Sequence, residues 1–212
     1  MIKINEIFHS IQGESSLTGW PTVFIRTSGC HLRCTYCDTT YAYHDGTKMA
    51  LEEILTIVDQ YKCGHICVTG GEPLLQKESF EMLSALCDRY PHVSLETSGD
   101  IDCRSVDPRV HKVVDIKTPD SGEPDAFKLK NLELDNVNTE FKFVICSEND
   151  FIWAEDFVRQ YDLTSKFNIF YSPSHEKIDA KWLAERILSQ KSNVRLQLQL
   201  HKYIWSPDKR GV

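Results

Sequence analysis

Apolar positions along the chain follow two alternating spacings. Thr22-Val23-Phe24-Ile25-Arg26, His65-Ile66-Cys67-Val68, Val93-Ser94-Leu95, Val113-Val114-Asp115-Ile116, Phe141-Lys142-Phe143-Val144-Ile145 and Asn168-Ile169-Phe170-Tyr171 are short runs rich in β-branched and aromatic residues, and predict strands. Val194, Leu196, Leu198 and Leu200 alternate strictly with polar residues, the pattern of a half-exposed strand. Between these runs the apolar residues recur at helical spacing. Leu51, Ile54, Leu55 and Val58 form one such face; Phe80, Leu83, Leu86, Cys87 and Tyr90 a second; Trp153, Phe157, Val158 and Tyr161 a third; Trp182, Leu183, Ile187 and Leu188 a fourth. Ser147 with Asp150 has the form of a capping box for the third helix, and Asp179 is placed to cap the fourth.

Strand-helix alternation over nearly the whole chain predicts an α/β fold of parallel βαβ units. About six or seven strands with about four helices are too few for a complete eight-fold barrel, so a partial, reduced TIM-like barrel is expected, with its chemistry at the C-terminal ends of the strands. Residues 28–47 and 118–123 break the alternation. Long irregular connections inside a compact domain usually carry function.

Composition narrows the choice. A chain of 212 residues, 41% hydrophobic and 26% charged, fits one globular domain spanning residues 1–212. Its 24 basic and 31 acidic residues give −7, and it has no basic run, which argues against a dedicated binder of nucleic acid or anionic membranes and favours a small-molecule substrate. The first residues read as strand rather than signal peptide, and no segment approaches the ~18 apolar residues of a membrane span. A cytoplasmic setting is expected, in which the eight cysteines are thiols, metal ligands or core residues.

Cys30-His31-Leu32-Arg33-Cys34-Thr35-Tyr36-Cys37 places three thiols within eight residues just after a strand. A structural zinc site closes with four protein ligands, and His31, His44 or Cys63 could complete one here. Three thiolates on a 4Fe-4S cluster instead leave one iron open to a substrate or cofactor. Thr69-Gly70-Gly71-Glu72-Pro73 follows another strand, where two glycines let a ligand approach the backbone beside a carboxylate.

In this order the two motifs resemble the radical S-adenosylmethionine superfamily, with Tyr36 as the aromatic residue before the last cysteine. The resemblance implies that Cys30, Cys34 and Cys37 bind the 4Fe-4S cluster, that the open iron chelates S-adenosylmethionine, and that the Gly-Gly-Glu segment, Gly71 and Glu72 within it, contacts the methionine end of that cofactor. The cluster would pass an electron to the sulfonium and release a 5′-deoxyadenosyl radical.

Ser10-Ile11-Gln12-Gly13-Glu14, Arg26, Asp38-Thr39 and Gln199-Leu200-His201-Lys202 are similar to the 7-carboxy-7-deazaguanine synthase family, over residues 5–212. That family is a lyase family acting on 6-carboxy-5,6,7,8-tetrahydropterin on the route to queuosine. The resemblance implies that Ile11, Gln12, Gly13, Thr69 and His201 contact the substrate, that Arg26 pairs with its carboxylate, and that Thr39 is the magnesium ligand. It places Tyr36, Cys37 and Asp38 at the adenine, Ser98 near the ribose, and Asp115, Ile116 and Lys117, then Ser172 and Pro173, at further cofactor contacts. It also implies a flavodoxin-type electron donor, a homodimer, and a site sealed by an N-terminal substrate loop and a C-terminal tail.

Two departures from the family stand out. Ser15 and Ser16 follow the Gln-Gly-Glu turn where glycine is common, and the tail beyond His201 is longer than in some members, so Val212 is not expected to reach the site. Cys67, Cys87 and Cys146 fall on apolar faces and are expected in the core; Cys63 and Cys103 are expected nearer the surface. A glycyl-radical activating enzyme shares the cysteine and glycine motifs but has no use for Thr39 or the Gln12 and Arg26 pair.

Overall fold

A computed structural model describes residues 1–207 and 209–212. In chain order its elements are β1 (Ile2–Ile11), β2 (Pro21–Thr27), β3 (Thr47–Met49), α1 (Leu51–Gln60), β4 (His65–Gly70), α2 (Glu78–Arg89), β5 (His92–Thr97), β6 (His111–Asp115), β7 (Thr139–Ile145), α3 (Glu148–Gln160), β8 (Asn168–Pro173), α4 (Ala180–Gln190), β9 (Arg195–Leu196) and the single turn α5 (His201–Ile204). Among the described residues the strands form one nine-stranded sheet, ordered β3-β1-β2-β4-β5-β6-β7-β8-β9.

From β2 onward every strand pair in the β2-to-β9 row is parallel, as the periodicity requires. The N-terminal edge departs from the expectation: β1 runs antiparallel to both β2 and β3. Residues 12–20, which join β1 to β2, form no helical crossover, and a return without one gives an antiparallel pair. The β5–β6 and β6–β7 connections carry 3₁₀ turns in place of α-helices, so the outer layer has four helices of ten or more residues.

The sheet is two-faced. Val23, Ile25, Ile66, Val68, Val93 and Leu95 pack outward against Ile54, Leu55, Val58, Met82, Leu83 and Leu86 of α1 and α2. Val114, Phe141, Phe143, Ile145, Ile169 and Tyr171 do the same beneath Phe151, Ala154, Val158, Leu183 and Ile187 of α3 and α4. The opposite parity carries Arg26, Thr69, Glu96, Asp115 and Lys142, so the inner face is polar and becomes the site rather than the core. Ser147 accepts from the backbone N–H of Asp150 at 3.2 Å and Asp179 from that of Lys181 at 2.8 Å, so both N-caps form, but among the described residues the expected capping box is not closed by a return bond from the Ser147 N–H to Asp150. The Asp150 carboxylate accepts from the N–H groups of Cys146 and Asp120, tying α3 to the irregular 118–123 stretch.

The expected strand over Val194–Leu200 is reduced to Arg195–Leu196, and its polar parity is the one turned to the cavity. Gln197 is 6% exposed and Gln199 lines the inner cavity, whereas Leu196 and Leu198 are 40% and 37% exposed. The inner face of this sheet is the polar one, so the polar parity turns inward, and no long helix follows β9 to cover the outer parity. Cys103 is fully buried against the α1–α2 core rather than near the surface. Cys67 is buried as expected, and Cys87 and Cys146 are half-buried.

Leu83→Ala, which empties a fully buried position, should lower unfolding free energy by about 2–5 kcal/mol in urea titrations. Leu196→Ala, outside the monomer core, should change it by less than about 0.5 kcal/mol at concentrations where the chain is monomeric.

Candidate active site

The C-terminal ends of the parallel strands open into a cavity of about 650 Å³. Arg26, Thr69, Gly71, Ser98, Asp115 and Lys117 arrive at the strand ends, and Cys30, Cys34, Tyr36, Cys37, Asp38 and Thr39 come from the irregular loop after β2. Ile11, Gln12, Gly13 and His201 close the cavity from the two ends of the chain.

The cysteine loop is held by main-chain contacts. The N–H of Gly29 donates to the carbonyl of Ala42 at 2.9 Å, and the N–H of Glu72 to the carbonyl of Gly29 at 2.8 Å. Gly71 lies so close that a Cβ there would stand 2.2 Å from the Gly29 carbonyl oxygen, so the glycine turn is packed against the start of the cysteine loop backbone to backbone. The far side is fixed by the 118–123 turn: the N–H and hydroxyl of Thr35 donate to the carbonyls of Ser121 and Asp120 at 2.9 and 2.7 Å, and the N–H of Arg33 to the Glu123 carboxylate at 2.6 Å. Both stretches that broke the sequence periodicity therefore meet in one structure.

Cys30, Cys34 and Cys37 are half-buried free thiols facing the cavity. Burial pushes the Cys30 thiol up and that of Cys34 up to about 11, so loading a metal releases protons. Cys63 belongs to the other end of the sheet, 3.2 Å from the carbonyl of Pro21 at the start of β2. His31 pairs with Asp100, neither His31 nor His44 lines the cavity, and among the described residues no three His, Cys, Asp or Glu side chains converge on a single-ion site. The donor set is thus three spaced thiols, which suits a cluster and not a zinc knuckle. The buried Tyr36 hydroxyl and Asp115 Oδ1 have no hydrogen-bond partner among the described residues, and both residues line the cavity, where polar groups of a bound cofactor would satisfy them.

Four residues expected at the cofactor stand outside the cavity lining. Glu72 is fully buried, and its carboxylate accepts from the N–H of Leu74, the hydroxyl of Thr97 and the N–H of Ser98 at 2.8–3.0 Å, so it clamps the glycine turn to the end of β5. Burial pushes its pKa up. Ile116 points into the α3–α4 core, and Ser172 and Pro173 lie behind the wall, where Ser174 and His175 take their place at the cavity.

The two ends of the chain interlock. The N–H of Leu200 donates to the carbonyl of Gly13 at 3.0 Å, and a Cβ on Gly13 would stand 2.2 Å from His201 Nδ1. Ser15 holds a left-handed φ of 69°, a conformation glycine adopts freely, and its hydroxyl accepts from the N–H of Leu17 at 3.1 Å. Its carbonyl accepts from Gln197 at 3.0 Å, and the N–H of Ser16 donates to Glu140 at 2.9 Å, so the two serines fasten the loop. Contrary to the expectation, the tail folds back far enough for Gly211 and Val212 to line the cavity.

Sequence reading left Glu14, Lys142 and Glu96 without roles. Glu14 contacts the Lys142 ammonium and accepts from Gln199 at 2.6 Å; Lys142 stands 3.9 Å from Asp115, which pairs with Lys117 at 2.9 Å. Burial works against the charge on Glu14, but the charges of Lys142 and His201 and its hydrogen bonds hold it at about 2. Burial also opposes the charge on Lys142, yet Glu14 and Asp115 hold its pKa above the usual lysine value. Glu96 accepts from Gln12 at 3.3 Å and from Thr69 at 3.0 Å. A lysine in the middle of Phe141-Lys142-Phe143 was the available signal. Arg26 uses Nε on Glu6 at 2.8 Å, and the Thr39 hydroxyl donates to Asp38 at 2.8 Å, whose other oxygen meets Lys202 at 2.8 Å.

A partial parallel barrel with three thiols beside a Gly-Gly-Glu turn at its C-terminal rim defines a radical S-adenosylmethionine protein. The signature of the Radical SAM superfamily matches residues 24–117, which carry both motifs, and with it come a 4Fe-4S cluster and S-adenosylmethionine. The chain is 47% identical to 7-carboxy-7-deazaguanine synthase of Chlorobaculum tepidum over 100% of its own length and 97% of that protein. It is 39% identical to the synthase of Koribacter versatilis over 100% of both, and 36% identical to that of Thermoplasma acidophilum over 99% of both. Its fold matches the crystal structure of QueE from Escherichia coli with a TM-score of 0.77 over 94% of each chain at 23% identity. The chain belongs to the 7-carboxy-7-deazaguanine synthase family.

Glu14 titrates lower folded than unfolded, so its contribution is present above about pH 4.5 and is lost as pH falls towards 2. Glu14→Gln, which leaves Lys142 without its closest partner, should cost about 3 kcal/mol at pH 7, with the gap to the unsubstituted protein closing between pH 4.5 and 2 in denaturant titrations.

Proposed function

We propose that the chain converts 6-carboxy-5,6,7,8-tetrahydropterin to 7-carboxy-7-deazaguanine by ring contraction with loss of ammonia, in 7-deazapurine and queuosine biosynthesis. The observation that carries the reading is the joint placement, in one cavity, of three spaced thiols, the Gly70-Gly71 turn, Arg26 and Thr39, in a chain 47% identical to a 7-carboxy-7-deazaguanine synthase. When bound, the cluster and S-adenosylmethionine supply the electron and the radical that removes the substrate hydrogen.

The protein's own groups supply position and polarity. Arg26 has terminal guanidinium nitrogens with no protein partner among the described residues, which suits a bidentate grip on the substrate carboxylate. Gln12, Thr69 and His201 are assigned to the substrate and Tyr36, Cys37, Asp38, Ser98, Asp115 and Lys117 to the cofactor, and each of them lines the cavity. Thr39 Oγ1 and the adjacent Asp38 carboxylate offer oxygen to magnesium, a hard ion that keeps several waters. The interlocked loop and tail cover one side of the cavity, which limits the access of water to a reactive centre.

The reading extends to a flavodoxin-type donor, a homodimer and a cytoplasmic setting. Arg33 and Thr35, exposed between the cysteines, leave the cluster loop open to an electron donor. Exposed Leu196, Leu198, Tyr203 and Ile204 offer an apolar face to a second copy, and eight free thiols suit a reducing compartment. No described helix is long and apolar enough to cross a membrane.

Anaerobic reconstitution should yield a protein with about four irons, retained in Cys63→Ser and lost in Cys34→Ala. Incubated with the carboxypterin, S-adenosylmethionine, magnesium and dithionite, it should form 7-carboxy-7-deazaguanine without net consumption of S-adenosylmethionine. Cofactor cleavage without any deazapurine product would contradict the proposal.

A further inference from the structure

The C-terminal tail brings a second guanidinium to the place where Arg26 meets the cavity. The Arg210 guanidinium carbon lies 3.9 Å from the centre of the Tyr41 ring and that of Arg26 lies 5.9 Å from the same ring. All three residues line the cavity. Glu6 is the carboxylate in direct contact, and its Oε1 is already engaged, by Arg26 Nε at 2.8 Å and by the Tyr41 hydroxyl at 2.9 Å. Among the described residues neither the terminal nitrogens of Arg26 nor the Arg210 guanidinium has a hydrogen-bond or ion-pair partner. Tyr41 positions both guanidiniums, and the edges that Arg26 leaves free are available to a ligand in the cavity.

Two guanidiniums with free donor edges on one cavity wall suit an anion, and the planar fork of arginine favours a carboxylate. We propose that Arg210 is a second determinant for the substrate carboxylate, acting with Arg26 across Tyr41, so that the tail is a specificity element and more than a cover. The proposal rests on the carboxypterin reading above and goes beyond it by naming the tail residue that selects for the acid.

The test compares two ligands on the reconstituted protein with S-adenosylmethionine present: 6-carboxy-5,6,7,8-tetrahydropterin and 5,6,7,8-tetrahydropterin, which lacks the carboxylate. Dissociation constants come from anaerobic equilibrium dialysis. The unsubstituted protein should prefer the acid; Arg210→Gln should weaken the acid about tenfold and leave the other ligand unchanged. Arg210→Lys should fall between, because it keeps the charge and loses the fork. Arg210 is exposed, so these substitutions do not empty the core. A preference for the acid that survives Arg210→Gln intact, or an equal loss for both ligands, overturns the proposal while leaving the function standing. An unsubstituted protein with no preference for the acid overturns both.

Discussion

The structure depends on the division of its sheet into an apolar outer face and a polar inner one. The parallel strands β4 to β8 are covered on both sides, yet only one side is filled with hydrocarbon. Val, Ile, Leu and Phe of one parity pack beneath α1–α4, and the other parity carries Arg26, Thr69, Glu96, Asp115 and Lys142 into a cavity. Buried charges are tolerated only when paired, and here the pairs form a chain, from Gln199 through Glu14, Lys142 and Asp115 to Lys117. Because Glu14 belongs to the N-terminal loop and Gln199 to the tail, the ion pairs that make the polar face affordable also close the site.

The cysteine loop is the second consequence. A loop of this length would be loose, but its backbone is held on one side by the glycine turn after β4 and on the other by the turn after β6. Gly71 and Glu72 therefore divide the work that the motif suggests. Gly71 gives close approach at the cavity wall, and Glu72 works from behind it by fixing Thr97 and Ser98. Main-chain contacts of their loop present the thiols to the cavity.

Much of this was legible in the sequence. The strand and helix runs and the caps at Ser147 and Asp179 followed from local pattern and turn chemistry, and the two stretches that break the pattern are the ones that meet in one structure. What failed depended on facts that no local window holds. The Val194–Leu200 alternation predicts a half-exposed strand, but only Arg195–Leu196 pair with β8, and alternation alone does not state which face of the sheet is polar. Ser172 and Pro173 were displaced by one or two residues from the cavity because strand ends are poorly marked. Val212 reaches the cavity because the tail turns back after α5, and Glu14 and Lys142, 128 positions apart, meet only through the fold.

The central claim is that the three thiols hold a cluster with one iron open to the cavity, where a cofactor chelates it. Electron paramagnetic resonance of the reduced, reconstituted protein tests it directly. Addition of S-adenosylmethionine should shift the cluster's g values, because a ligand enters the coordination of one iron. A spectrum unchanged by saturating S-adenosylmethionine would show that no iron is open, and would contradict the account.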